Sequence, residues 1–140
     1  MTMRVPPAWR SDFQDDNSLV FVAADVTDEW SSVAAELDEA FALSQVAAQR
    51  GQPITYVVHN DDLLGRRGCG RAMVATGLLS AARTAALELL KSGVPVNVVA
   101  IEDGTDPGAI ARWAVLVASD GVPTGELIHL GAGHIGKALA

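Results

Sequence analysis

Three short apolar runs rich in β-branched residues constrain this chain most: Leu19-Val20-Phe21-Val22-Ala23-Ala24, Ile54-Thr55-Tyr56-Val57-Val58, and Val94 to Ile101. None alternates polar with apolar, so each reads as a strand buried on both faces, the condition found in parallel sheets. Glu126-Leu127-Ile128-His129-Leu130 is a fourth, weaker run. Helical spacing fills the gaps. Trp30, Val33, Ala34, Leu37 and Phe41 recur on one side, with Glu36, Asp38 and Glu39 on the other. Strands alternating with helices predict right-handed β-α-β units and a three-layer α/β fold with a parallel sheet of about four strands.

Local signals set the boundaries. Thr27 or Asp28 is placed to cap the first helix, which ends near Arg50-Gly51. Residues 59–70 read as a loop interrupted by Gly65, Gly68 and Gly70. A long helix follows from about Arg71 to Lys91, stopped by Gly93 and Pro95, and Pro107 opens a shorter one ending near Ser119. Residues 1–17 are polar and proline-bearing, and read as a flexible arm that Trp9 and Phe13 pin to the single domain of residues 18–140. On the long helix Thr76, Ser80, Arg83, Thr84, Glu88 and Lys91 share an arc of roughly 140° at 100° per residue. The remaining arc is apolar and wider than a surface helix shows, which predicts cover from the sheet on one side and a partner subunit on the other. Trp30 and Trp113 fit helix faces that pack on the sheet.

The charge balance narrows the function classes. A net charge of −7 over 140 residues argues against nucleic-acid binding, whose usual footprint is a basic patch. No stretch approaches the ~20 apolar residues of a membrane span. Met1-Thr2-Met3-Arg4-Val5-Pro6-Pro7 has no apolar export segment, and Cys69 has no partner for an internal disulfide, so a cytoplasmic protein is expected.

Three segments resemble the short-chain dehydrogenase/reductases. Ala86-Leu87-Glu88-Leu89 with Gly93-Val94-Pro95-Val96-Asn97-Val98-Val99-Ala100 looks like that family's long helix and sixth strand. Ala109 to Asp120 and Thr124 to Gly133 are similar to its last helix and strand, and Asp28 to Val33 with Phe41 to Gln45 to the helix before its fifth strand. The resemblance implies a Rossmann-like fold, truncated on its N-terminal side, that begins at the family's fourth strand. Its chemistry does not carry over. The family's acid/base tyrosine and the lysine four residues later would fall at Arg71 and Ala75. The serine position falls near Val58 or His59, and the asparagine position near Leu37 or Asp38. Tyr56 is the one tyrosine and Lys91 and Lys137 the two lysines, so no Tyr-x-x-x-Lys exists. The turn after the sixth strand reads Ile101-Glu102, the substrate lid is nearly absent, and no Gly-x-x-x-Gly-x-Gly follows an N-terminal strand. The expectation is no cofactor and no catalytic set of that kind.

Other constellations remain. His59-Asn60-Asp61-Asp62 sits just beyond a strand's carboxyl end, where α/β sheets place active groups, and Arg71 lies near it in sequence. His59, Asp61, Asp62 and Arg71 are thus the catalytic candidates, without the ligand spacing of a metal site. Cys69, between Gly68 and Gly70 and near Arg67 and Arg71, is a candidate reactive thiol; His129 and His134 read as structural or interfacial. In the resembled family the helices matching 29–50 and 71–91 pack between subunits, which marks Trp30, Phe41, Leu78, Ala81, Ala82 and Leu89 as interface positions. The leading expectation is a non-catalytic subunit that pairs with itself or with a complete NAD(P)-dependent dehydrogenase. The alternatives are a small enzyme of altered chemistry around His59, Asp61 and Asp62, or a nicotinamide-dependent oxidoreductase as family similarity alone suggests.

Overall fold

The computed structural model describes residues 2–14, 17–119 and 122–131. Asp15, Asp16, Asp120, Gly133, His134 and Lys137 lie outside the described residues. Five parallel strands form one sheet in the order β1 (Thr2–Arg4), β2 (Leu19–Val22), β3 (Ile54–His59), β4 (Val96–Ile101) and β5 (Leu127–Leu130). Four of these are the strands expected from the apolar runs. The fifth, β1, comes from the stretch read as an arm: Thr2, Met3 and Arg4 pair with Leu19, Val20 and Phe21. A 3-10 turn over Pro7–Asp12 follows it, and Phe13 is buried with Trp9 packed beside it.

The helices are α1 (Trp30–Gln49), α2 (Asn60–Leu63), α3 (Cys69–Glu88) and α4 (Pro107–Ser119). Strand alternation divides the core into two layers. Leu19, Phe21, Ile54, Tyr56, Val58, Val96 and Val98 face α1 and α3. Val20, Val22, Val57, Val99 and Ile101 face Val5 and Phe13 of the N-terminal segment and Ile110, Ala111 and Ala114 of α4. No described helix is long and apolar enough to cross a membrane.

This layering corrects one expectation. All strands are parallel and advance across the sheet in chain order, so crossovers on opposite faces have opposite hands. The connections through α1 and α3 lie on one face, and those through the 3-10 turn and α4 on the other. Two of the four crossovers therefore depart from the right-handed rule. Burial accounts for it. With both 20-residue helices on the first face, a uniform hand would leave Val20, Val22, Val57 and Val99 open to water, and apolar burial outweighs the crossover preference.

Local details also differ from the sequence reading. Neither Thr27 nor Asp28 caps α1, whose N-cap is Glu29 without a side-chain bond. Asp28 instead accepts the backbone N–H of Gly70 in the first turn of α3 at 2.8 Å. Residues 59–70 are not a continuous loop, because α2 forms within them. Trp30 and Trp113 do not pack flat on the sheet: they are 65% and 41% exposed. Their helices bury Ala, Val and Ile against the strands, and the indoles stand off to the side.

Candidate functional site

The carboxyl ends of β2, β3 and β4 open into a cleft of about 280 Å³. Ala23, Ala24 and Asp25 follow β2, His59 ends β3, Asp62 comes from α2, and Glu102 to Thr105 form the turn after β4. Pro6 and Trp9 close one side. His59 Nε2 lies 2.8 Å from Asp103 Oδ1. In a neutral ring Nε2–H donates to that carboxylate and Nδ1 is left as an acceptor. Nδ1 is buried and has no hydrogen-bond partner among the described residues.

Arg67 is the centre of charge in the cleft. Its Nε and Nη2 donate to the two oxygens of Asp62 at 2.8 and 3.0 Å, a bidentate pair. Nη2 also reaches Asp25 at 3.1 Å, and Nη1 lies 4.0 Å from Asp103. The Asp62 hydrogen bond, working against partial burial, holds the guanidinium pKa above its ordinary value. Next to this, His129 Nε2 meets Glu102 Oε1 at 3.1 Å, so two histidines from β3 and β5 flank the β4 turn.

The four candidate catalytic residues do not form one group. His59 and Asp62 line the cleft, but Asp61 is on the exposed side of α2, bonded to Arg66 at 3.2 Å. Arg71 lies in the first turn of α3, 3.8 Å from Asp25. Asp103 and Arg67, which were not among the catalytic candidates, carry more of the site. The Arg67–Asp62 pair was within reach of sequence, since Asp61-Asp62 and Arg66-Arg67 are two like pairs five residues apart. Asp103, 44 residues from His59, leaves no local signal. Cys69 is free and exposed, and no cluster of three metal-ligating side chains occurs among the described residues.

A second concavity lies between α1 and α3, a groove of about 670 Å³ lined by Leu37, Phe41, Ser44, Gly77, Ala81 and Thr84 among others. Phe41 stands at it 68% exposed. Of the positions marked as interface, Trp30 and Ala81 are also exposed and Leu89 is half-buried. Leu78 and Ala82 are buried in the core layer beneath α1 and α3, because they sit one turn apart on the side of α3 that packs inward. Tyr56 forms part of the groove floor, its hydroxyl 2.6 Å from Ser44 Oγ.

Burial raises the Tyr56 pKa above the ordinary 10.0, only partly offset by the Ser44 bond. A phenol that stays protonated longer in the folded state makes the folded state bind more protons above pH 10, so stability falls as pH rises from there. Tyr56 is the only tyrosine, which makes this directly readable. The tyrosinate absorbance of the folded protein is expected to rise with a midpoint above 10, and that of the urea-unfolded chain near 10. A midpoint at or below the unfolded one would contradict the buried placement.

No protein-family model and no curated protein sequence matches the chain. Solved structures do. Acetoin dehydrogenase YohF from Salmonella typhimurium superposes with a TM-score of 0.72 at 20% identity, covering 89% of this chain and 65% of that one. The TT0495 protein from Thermus thermophilus gives 0.72 at 21% identity, over 84% and 68%. A Burkholderia xenovorans protein described as a short-chain dehydrogenase/reductase gives 0.70 at 20%, over 84% and 62%. The chain therefore has the Rossmann-like fold of the short-chain dehydrogenase/reductases, and it spans about 65% of the length of the Salmonella enzyme.

Proposed function

We propose that the chain is a non-catalytic subunit of oxidoreductase fold, and that it pairs with a second copy of itself through the α1–α3 face. The observation that carries this is the juxtaposition of an exposed Phe41 with an open apolar groove on one surface. A protruding ring and a receiving groove on the same patch satisfy each other across a two-fold axis, the isologous arrangement of most dimers. Size supports it. Helices of 20 residues are ~30 Å long, and two packed side by side present a face roughly 20 Å wide, about 600 Å² per partner. That approaches the ~800 Å² per partner of a standard stable interface. Small residues, Gly77, Ala81, Ala48 and Ser80, let the opposing helices approach closely.

Support for the non-catalytic half comes from the tyrosine. The sequence holds no Tyr-x-x-x-Lys, and Tyr56 is 3% exposed, bonded to Ser44 in the α1–α3 layer and away from the cleft at the strand ends.

Light scattering and sedimentation test the association. The chain is expected to be a dimer at tens of micromolar, on the scale where ~8 kcal/mol of binding corresponds to micromolar affinity. Phe41→Glu should weaken it about 100-fold, since it places a charge in the desolvated centre of the contact. Leu116→Glu, a comparably exposed leucine on α4, should leave it unchanged. A monomeric wild-type chain, or a dimer that Phe41→Glu leaves intact, overturns the proposal; so does a chain that is monomeric alone and associates only with a complete dehydrogenase.

A further inference from the structure

Doubly wound folds hold a dinucleotide outside the carboxyl ends of their strands, with its pyrophosphate on free backbone N–H groups of a glycine-rich turn and a helix N-terminus. No glycine-rich turn lines the cleft at the ends of β2, β3 and β4. The helix that starts there, α2, is four residues long and carries Asp61 and Asp62 in its first turn, where they oppose a phosphate. The turn leaving β1 is Val5-Pro6-Pro7, and neither proline has an N–H to give. Trp9 then takes up wall space beside Pro6. At the end of β2 the N–H of Ala23 is already donated to Val57 O at 2.9 Å, and that of Ala24 to Glu36 at 2.5 Å. At the end of β4 the N–H of Glu102 is donated to Thr105 Oγ1 at 3.1 Å.

Charge works in the same direction. Asp25, Asp62, Glu102 and Asp103 line the cleft against a single guanidinium, Arg67. That guanidinium has its Nε and Nη2 taken by Asp62 and Asp25, and its remaining Nη1 lies 4.0 Å from Asp103, so a phosphate approaching it would meet three carboxylates. Asp62 of α2 anchors Arg67 locally, while the guanidinium reaches two elements remote in sequence: Asp25 after β2 at 3.1 Å and Asp103 in the β4 turn at 4.0 Å. We infer that the cleft is closed to nicotinamide dinucleotides and is instead an ion-pair knot, in which Arg67 ties the ends of β2, β3 and β4 together. This inference does not rest on self-association, which the scattering experiment reads separately.

Amide spectra of the 15N-labelled protein test both halves. On adding NADH or NADPH to ~1 mM, where a millimolar site is worth about 4 kcal/mol, the Asp25, His59 and Gly104 resonances should stay in place. A saturable shift of those three overturns the closure, whereas shifts confined to other residues leave it standing. In Arg67→Ala the same three resonances should move without any ligand, and thermal unfolding should come several degrees lower. Unmoved Asp25 and Gly104 resonances in that variant overturn the knot. Arg67→Lys, which keeps the charge but not the fork, should restore them only in part.

Discussion

Gly70→Ala is expected to destabilise the protein by about 3 kcal/mol, the upper end for forcing an extra carbon into a packed site, although alanine ordinarily favours a helix over glycine by about 1 kcal/mol. The reversal follows from what lies across from Gly70. It is buried in the first turn of α3, where the helix passes against the Thr27–Asp28 segment leading into α1. A Cβ there would overlap the Thr27 carbonyl oxygen and come within 3.0 Å of its carbon and 3.1 Å of the Asp28 Cα. All three are backbone atoms, and no rotamer change relieves the clash. Moving the helix away would break the Asp28–Gly70 hydrogen bond of 2.8 Å. At about 3 to 4 °C per kcal/mol for a chain of this size, the melting temperature should drop roughly 10 °C. Gly77→Ala, read at concentrations below those at which copies pair, is the control on the same helix, because within one copy its Cβ would meet only Leu37 Cδ2, at an ordinary 3.5 Å. It should be neutral or slightly stabilising. Urea unfolding separates the two, and a Gly70→Ala protein as stable as wild type would refute the close approach.

That contact shows where sequence reading stops. The sheet was legible because Leu19 to Val22, Ile54 to Val58 and Val96 to Ile101 are apolar without alternation, and only strands covered on both faces can be so. The end of α1 fell within two residues of expectation because Gly51 marks it, whereas α3 stops at Glu88, three residues short of Lys91, and a 3-10 turn over Leu90–Ser92 carries the chain on to Gly93. β1 was not legible. Thr2-Met3-Arg4 has no pattern of its own, and the strand depends on partners far along the chain. The role of Asp28 failed for the same reason, since its N–H partner is 42 residues away. Periodicity placed Trp30 on an apolar helix face without saying which apolar face meets the sheet, and the two 20-residue helices have more apolar surface than the strands can cover. In the cleft, His59 could be found from its position at a strand end. Its partner Asp103 could not, because parallel pairing of β3 and β4, not local spacing, brings the two strand ends together.

The same dependence on remote partners gives Arg4 a large effect for a residue four positions from the start of the sequence. Glu36 is only 5% exposed on α1, and all its hydrogen bonding goes inward. Arg4 donates through Nη1 and Nη2 to its two oxygens at 2.8 and 2.6 Å, and the Ala24 N–H adds a bond of 2.5 Å. The guanidinium also lies 4.5 Å over the Phe21 ring and donates to Val22 O at 3.2 Å. Arg4→Met keeps the packing on Phe21 but leaves a buried carboxylate with one donor. Breaking a buried pair from one side costs about 3–5 kcal/mol. Arg4 is a quarter exposed, which lets water reach the carboxylate once the guanidinium is gone, so the lower end, about 3 kcal/mol, is expected. Arg4→Met with Glu36→Met should recover most of that loss, because replacing both partners by apolar groups is often close to neutral. The coupling in this double-mutant cycle should exceed about 1 kcal/mol. The pH profile separates this pair from Tyr56. Glu36 raises the Arg4 pKa above the ordinary guanidinium value, and a cation with a raised pKa keeps its full stabilisation until the pH passes that ordinary value. Arg4 therefore contributes nothing to the alkaline decline that begins near 10.0, where Tyr56 starts to titrate in the unfolded chain. That decline should persist in Arg4→Met and disappear in Tyr56→Phe. The opposite assignment would mean that the Arg4 pair, not the tyrosine, sets the alkaline limit of the fold.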